Sequence, residues 1–258
     1  MGILNITPDS FSDGGDFFCL DAALEQAHIM VEEGAAIIDV GGESTRPDAQ
    51  PVSVEEELER VVPIIERITR ELSVLISIDT SKPAVMQGAV EAGAGLINDV
   101  MALQAPDALE VAARLDVPVC LVHMQGEPRT MQHLPRYQDV VSEVKAFLAE
   151  RIACCKAAGI ALERLVVDPG FGFGKTLEHN LKLLKHLATL TGLGVPVMAG
   201  ISRKSMIGAL LDNAQADQRL HGGLAAAVLA VSQGVKIIRT HDVKPTVDAL
   251  AVATAVNN

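Results

Sequence analysis

Eight short apolar runs recur along this chain, and every one leads into polar residues. They are GILN ending at Asn5, AIIDV through Asp39, VLISID at Asp79, GLIND at Asn98, VCLVH at His123, LVVD at Asp168, VPVMAG before Ser202-Arg203-Lys204, and VKIIRTH at Arg239 and His241. Between them lie segments of helical periodicity at residues 21–33, 54–71, 83–92, 105–115, 140–158, 177–190, 218–233 and 246–256. A glycine follows four of these, at Gly34, Gly93, Gly159 and Gly234, where a left-handed cap favours a residue without a β-carbon. Ser53 with Glu56 reads as a capping box opening the second helix. Strand then helix, eight times over, predicts an α/β fold with a parallel sheet. Eight units in 258 residues favour a closed (β/α)8 TIM barrel over an open doubly wound sheet. A short extra helix is expected in the seventh unit, around residues 205–211.

A barrel of this kind brings the C-terminal ends of all its strands to one mouth, so polar residues scattered through the sequence would converge there. The length suits one domain spanning residues 1–258. Hydrophobic residues make up 49% of the chain and charged residues 21%, enough for a large core. The net charge of −12 argues against nucleic acid or an anionic membrane as partner, since both would be repelled. Any phosphate site must therefore be a local basic island. Cys19, Cys120, Cys154 and Cys155 form no C-x-x-C pair, which suits reduced thiols in a cytoplasmic protein. No apolar run approaches the ~20 residues that span a bilayer, and no signal precedes the first strand.

Two loops after strand ends are long, polar and glycine-bearing: residues 5–15 (NITPDSFSDGG) and 41–47 (GGESTRP). They suit mobile active-site loops that close together. Asp79 and the Asn98-Asp99 pair sit where acceptors and amide dipoles could read the edge of a heterocycle, with Thr80 and Ser81 free to cap the following helix. Asp168 opens a glycine-rich loop, DPGFGFGK, whose glycines permit close backbone approach. That loop is not a P-loop, because Pro169 stands where the first glycine is required, and its spacing also fails the dinucleotide fingerprint. Arg46, Arg203, Lys204, Arg239 and His241 form the basic island, suited either to a diphosphate or to salt bridges with the excess carboxylates. His123 reads as a core residue or a catalyst, the former being commoner; His28, His179 and His186 fall on helices and look structural. Five of six phenylalanines lie in two glycine-rich segments, where they either stack on a planar ligand or pin turns to the core. A single Mg²⁺ held mainly by water and phosphate would need one or two protein oxygens, and Asn5 is a candidate.

Taken in order, MGILNITPDSFSDGG at residues 1–15, GGESTRP at 41–47, DTSKP at 79–83, DPGFGFG at 168–174, SRKS at 202–205 and RTHD at 239–242 resemble the dihydropteroate synthase family of bacterial folate biosynthesis, across essentially the whole chain. The resemblance implies condensation of 6-hydroxymethyl-7,8-dihydropterin diphosphate with p-aminobenzoate, giving dihydropteroate and diphosphate, with Mg²⁺. It implies that Asp79, Asn98 and Asp168 hold the pterin edge and that Lys204 packs over and bonds to the ring. Thr45, Arg239 and His241 would bind diphosphate, with Arg239, His241 and Lys204 as the catalytic groups and Asn5 contributing to Mg²⁺. Ser44, Arg46, Phe173 and Ser205 would form much of the p-aminobenzoate site, where sulfonamides bind. A homodimer is implied through outer helices of the later units, with 224–231 as an apolar face. Members of the family carry a short segment ahead of the first strand; this chain begins at the strand, which implies lower stability or a native start upstream. The alternatives are a pterin-binding methyltransferase, a silent pterin-binding paralogue and, on fold alone, a sugar-phosphate barrel enzyme.

Overall fold

The computed structural model describes residues 1–6, 15–44, 50–126, 131 and 135–257. Six strands form one parallel sheet in sequence order: β1 (Gly2–Asn5), β2 (Ile37–Gly41), β3 (Leu75–Asp79), β4 (Leu96–Asp99), β5 (Val119–Val122) and β6 (Leu165–Asp168). The last two, β7 (Met198–Ala199) and β8 (Ile237–Ile238), pair as a separate parallel ribbon. Single bridges join the two sheets on either side, Val167 to Val197 and Gly2 to Thr240. The amide of Ile3 donates to the Thr240 carbonyl at 3.0 Å and that of Val167 to the Pro196 carbonyl at 3.0 Å. The ring of eight strands thus has two thin seams.

Ten α-helices follow among the described residues. α1 (Gly15–Glu32), α2 (Val54–Glu71), α3 (Pro83–Glu91), α4 (Ala108–Leu115) and α5 (Val140–Ala157) each come after one of the first five strands. α6 (Leu177–Lys185) and α7 (Ala188–Thr191) follow β6; α8 (Ser205–Leu210) and α9 (Leu220–Ser232) follow β7; α10 (Val243–Asn257) closes the series. The extra helix of the seventh unit is α8, within a residue of the expected span.

Differences from the expected boundaries have local causes. α1 begins six residues before the expected 21, inside a stretch whose glycines and aspartates argued for loop. The segment expected as one helix over 177–190 is two, broken at His186, whose backbone leaves the helical region at φ −118° and ψ 23°. The capping box of α2 is half formed. Ser53 accepts from the Glu56 amide at 3.1 Å, but the Glu56 carboxylate turns outward to pair with Arg60. Nor do Thr80 and Ser81 cap α3, whose N-cap is Lys82 with Pro83 in the first turn. Thr80 accepts from the Lys82 amide at 3.2 Å, and Ser81 donates to Asp99.

Register divides the strand residues between two faces. Leu4, Val40, Ile78, Ile97, Val119 and Leu165 belong to the large core between strands and helices. Their alternates turn into the barrel, where Leu96, Cys120, Val122, Val166 and Met198 form a small inner cluster with Phe173 against it. Asn5, Gly41, Asp79 and Asn98 are successive register partners across β1 to β4, so three polar side chains share one inward-facing tier. One tier deeper, Ile3, Asp39 and Ser77 are partners.

Candidate active site

Asp39 was read as a strand end, but β2 runs on to Gly41, leaving its carboxylate fully buried in the lumen. Its Oδ2 accepts from Arg239 Nε at 2.6 Å and from Asn98 Nδ2 at 3.1 Å. Arg239, just beyond β8, reaches a second carboxylate through Nη2, which donates to Asp79 Oδ2 at 2.7 Å. Burial works against the Arg239 charge, but Asp39 and Asp79 outweigh it and hold its pKa above the ordinary value. Burial raises Asp79 to about 7, with Arg239 opposing and Asp39 reinforcing. The salt-bridge reading of the basic island therefore holds for Arg239 in the free protein.

Asp168 ends β6 and is 4% exposed. Its Oδ1 accepts from the Gly170 amide at 2.7 Å, and burial raises its pKa while that bond and Lys204 oppose. Lys204 follows the turn after β7, with Nζ 4.1 Å from the centre of the Phe173 ring. Such a cation over a ring face is held by the ring quadrupole. Burial, then the charge of Arg239, lowers Lys204 to about 8. His241 Nδ1 lies 3.2 Å from Ser202 Oγ, and burial followed by the charges of Arg239 and Arg203 lowers it to about 4. His241 thus enters the site as a neutral hydrogen-bonding group. Arg203 is a strut instead: at φ +58° it makes a bidentate pair with Asp242. Asn5 stands at the end of β1 beside Gly41, where a β-carbon would come 3.7 Å from Asn5 Oδ1. Ser205 is exposed at the start of α8, and Ser44 lies just past β2. Thr45 and Arg46, with Phe11 and most of the first loop, lie outside the described residues.

Asp99, expected with Asn98 at the site, proves structural, as do His123, Lys175 and His179. Asp99 points away from the lumen and accepts from Ser81, the Met101 amide at 2.8 Å and the Leu103 amide at 2.8 Å, stapling the turn after β4. His123 is 5% exposed, with Nδ1 2.8 Å from Lys175 Nζ; burial and that lysine lower its pKa to about 3. Lys175, which makes the glycine-rich loop look like a phosphate cradle, points inward. It is 3% exposed and donates to the carbonyls of Gly170 and Phe173, both at 2.9 Å. The rejection of a P-loop thus has a geometric basis. His179 makes the capping box of α6 with Thr176, a role that helix membership alone did not indicate.

The pterin-binding enzyme family model matches residues 1–241. The chain is 56% identical over 255 residues to the dihydropteroate synthase of Escherichia coli (strain K12), covering 99% of this chain and 90% of that protein. The Xanthomonas albilineans dihydropteroate synthase solved with 4-aminobenzoic acid superposes with a TM-score of 0.94 at 52% identity, over 99% of this chain and 92% of that one. The same enzyme in complex with 7,8-dihydropteroate gives 0.91 at 50% identity, over 99% and 92%. The chain belongs to the dihydropteroate synthase family.

As a dihydropteroate synthase family member it is a TIM-barrel enzyme, and Asn5, Asp79, Asn98 and Asp168 stand at one end of its strands. Asp79, Asn98, Asp168, Lys204 and Arg239 are drawn together around the lumen. Ser205 and His241 stand on the segments following β7 and β8. Sequence reasoning missed the role of Asp39. The signal was present, a carboxylate with four apolar residues before it and one after, in a run too hydrophobic to lie at a surface. It also missed Lys82, which holds Glu43 Oε2 at 2.6 Å and the buried Glu57 at 2.5 Å, tying the stem of the second loop to α2.

Proposed function

We propose that this enzyme condenses 6-hydroxymethyl-7,8-dihydropterin diphosphate with p-aminobenzoate to give 7,8-dihydropteroate and diphosphate. The observation that carries the reading is the pairing of ring-edge acceptors on β3, β4 and β6 with cationic and neutral donors following β7 and β8. The complexes of the Xanthomonas albilineans relative with 4-aminobenzoic acid and with 7,8-dihydropteroate support the same substrates here.

Asp79, Asn98 and Asp168 accept from the amino and ring N–H groups of the pterin; carboxylate acceptors make these bonds stronger than neutral ones. Lys204 covers the ring and, over Phe173, borders the space for the aromatic amine. Ser44, Arg46 and Ser205 complete that subsite. The C–O bond from the pterin methylene to diphosphate breaks first, and its electron pair leaves with diphosphate. The positive charge left on the methylene is delocalised into the electron-rich ring. The p-aminobenzoate nitrogen then forms the new C–N bond, and its proton passes to the released diphosphate. Arg239, His241 and Thr45 take up the charge developing on the leaving group, which preorganised donors do without reorganisation at the moment of reaction. Bound Mg²⁺ would neutralise the diphosphate further. Asn5 fits it: one amide oxygen at the mouth suffices for an ion whose other ligands are phosphate and water. Exclusion of water from the site would keep it from competing with the amine.

The protein is further proposed to act in the cytoplasm as a homodimer. Leu229 on α9 is 55% exposed, and Val252 and Val256 on α10 are 67% and 78% exposed, an apolar surface that a second copy would cover. Among the described residues no helix is long and apolar enough to cross a membrane.

The test is product formation from both substrates with diphosphate release followed in parallel, with and without a chelator. Product that needs both substrates and falls on chelation is expected. Pterin binding with neither product nor diphosphate would replace the reading with a silent paralogue. Arg239→Met should lower kcat by roughly 10²–10³, the scale for one leaving-group donor, and an unchanged rate would remove Arg239 from that role.

A further inference from the structure

Three buried side-chain atoms around the lumen have no hydrogen-bond partner among the described residues: Asp39 Oδ1, Ser77 Oγ and Asn98 Oδ1. Buried polar atoms without partners are uncommon and call for an explanation. Asn98 Oδ1 is an acceptor waiting for a ligand donor, as the proposed pterin contact requires. It is available because the amide nitrogen is turned the other way, donating to Asp39 Oδ2 at 3.1 Å. Were the amide flipped, its N–H₂ would face the ring edge, and its oxygen would face a carboxylate.

The same Asp39 oxygen holds Arg239 by Nε, so the guanidinium is divided between two carboxylates with one contact to each. An unrestrained guanidinium beside a lone carboxylate favours the two-point fork, which would occupy both oxygens of Asp79. With Nε committed to Asp39, only Asp79 Oδ2 is engaged, and Oδ1 has no hydrogen bond among the described residues. Asp39 is fully buried one tier below the mouth, so it serves the site from behind.

We propose that Asp39 is a positioning residue of the pterin site: through its single oxygen Oδ2 it sets the amide of Asn98 and restrains Arg239, and so keeps Asn98 Oδ1 and Asp79 Oδ1 open as ring acceptors. The inference rests on the pterin reading above. A purely structural counter-ion for Arg239 would affect stability but not the availability of those acceptors.

The test is calorimetric titration of the full chain with 6-hydroxymethylpterin, a ring without diphosphate, in the wild type, Asp39→Asn, Arg239→Met and the double variant. Asp39→Asn keeps the shape and an amide oxygen that still accepts from Asn98, and removes the charge that holds Arg239 back from Asp79. Its ring affinity is expected to fall at least tenfold, and the loss should shrink to less than threefold when Arg239 is already Met. Such non-additivity is what coupling through a shared partner produces. A folded Asp39→Asn that binds the ring within twofold of the wild type would overturn the proposal, as would an equal loss in both backgrounds. Should that variant not fold, a crystal structure of the wild type with the ring bound decides: both Asp39 contacts are expected to persist, and Arg239 forked onto Asp79 would overturn the idea. A wild type that does not bind the ring at all would instead sink the pterin reading, a separate outcome.

Discussion

Replacing Lys175 with Met should change how stability depends on pH. The Lys175 ammonium is buried against Gly170 and Phe173 carbonyls and His123 Nδ1, without a carboxylate in hydrogen-bond contact among the described residues. Burial lowers its pKa to about 7, with Lys204 adding to the effect and Asp168 opposing it. In the unfolded chain the group titrates near ~10.4. Between those values the unfolded chain binds the proton that the folded protein has released, so stability rises with pH, by ~1.4 kcal/mol per unit for one proton. The contribution is smallest below about pH 7 and complete above the unfolded value. Methionine fills similar space but carries no proton, so the wild type should pull away from Lys175→Met by about 2–3 kcal/mol over two pH units in that window. A pH-independent cost of about 1–3 kcal/mol for each acceptor left unpaired adds to this. Urea unfolding of both proteins at about pH 7.5, 8.5 and 9.5 measures the difference, in which Lys204 and other titrating groups cancel to first order. Two stability curves that stay parallel across that range would refute the assignment of a depressed, buried lysine.

Gly170→Ala should be among the most damaging single-carbon changes in the chain, because φ is +68° and the added β-carbon would lie 1.9 Å from the His123 carbonyl oxygen; a loss of several kcal/mol in urea unfolding, or no soluble protein, is expected. Ser53→Ala should cost α2 about 1 kcal/mol, whereas Glu56→Ala should cost less than about 0.5 kcal/mol because its carboxylate does not return to the cap; paired thermal melts compare them. Leu229→Glu should convert a dimer to a monomer with activity per chain read alongside, and light scattering reports the mass. Chelation should lower kcat and leave binding of the diphosphate-free ring within twofold, as checked by calorimetry.

Much of the architecture is legible because the strands are buried on both faces and so read as unbroken apolar runs, as at Leu96 and Ile97 or Cys120 and Leu121. The same property hides lumen polarity. Asp39 looks like the end of a run when it is the middle of a strand, since inward and outward residues of a barrel strand are both shielded. The placement of Asp79, Asn98 and Asp168 was readable because each ends or nearly ends a strand. Partnership was not readable. Arg239 and Asp39 are 200 positions apart, and no local spacing encodes their 2.6 Å contact. Lys175 shows the opposite case, in which a motif-like string of glycines and a lysine is explained by where Gly170 lets the chain turn back onto His123.

The two thin seams flanking β7 and β8 divide the chemistry as well as the sheet. Asn5, Asp79, Asn98 and Asp168 ride on the six-stranded plate; Lys204, Arg239 and His241 follow the two-stranded ribbon. The proposed ring acceptors and the proposed leaving-group donors thus follow different sheets, and the contacts of Arg239 with Asp39 and Asp79 act as a tie-rod between them. A ligand that draws Arg239 toward its phosphates pulls on that rod, so amide exchange at the seam residues Ile3, Val167 and Thr240 should register the occupancy of a site that none of them touches.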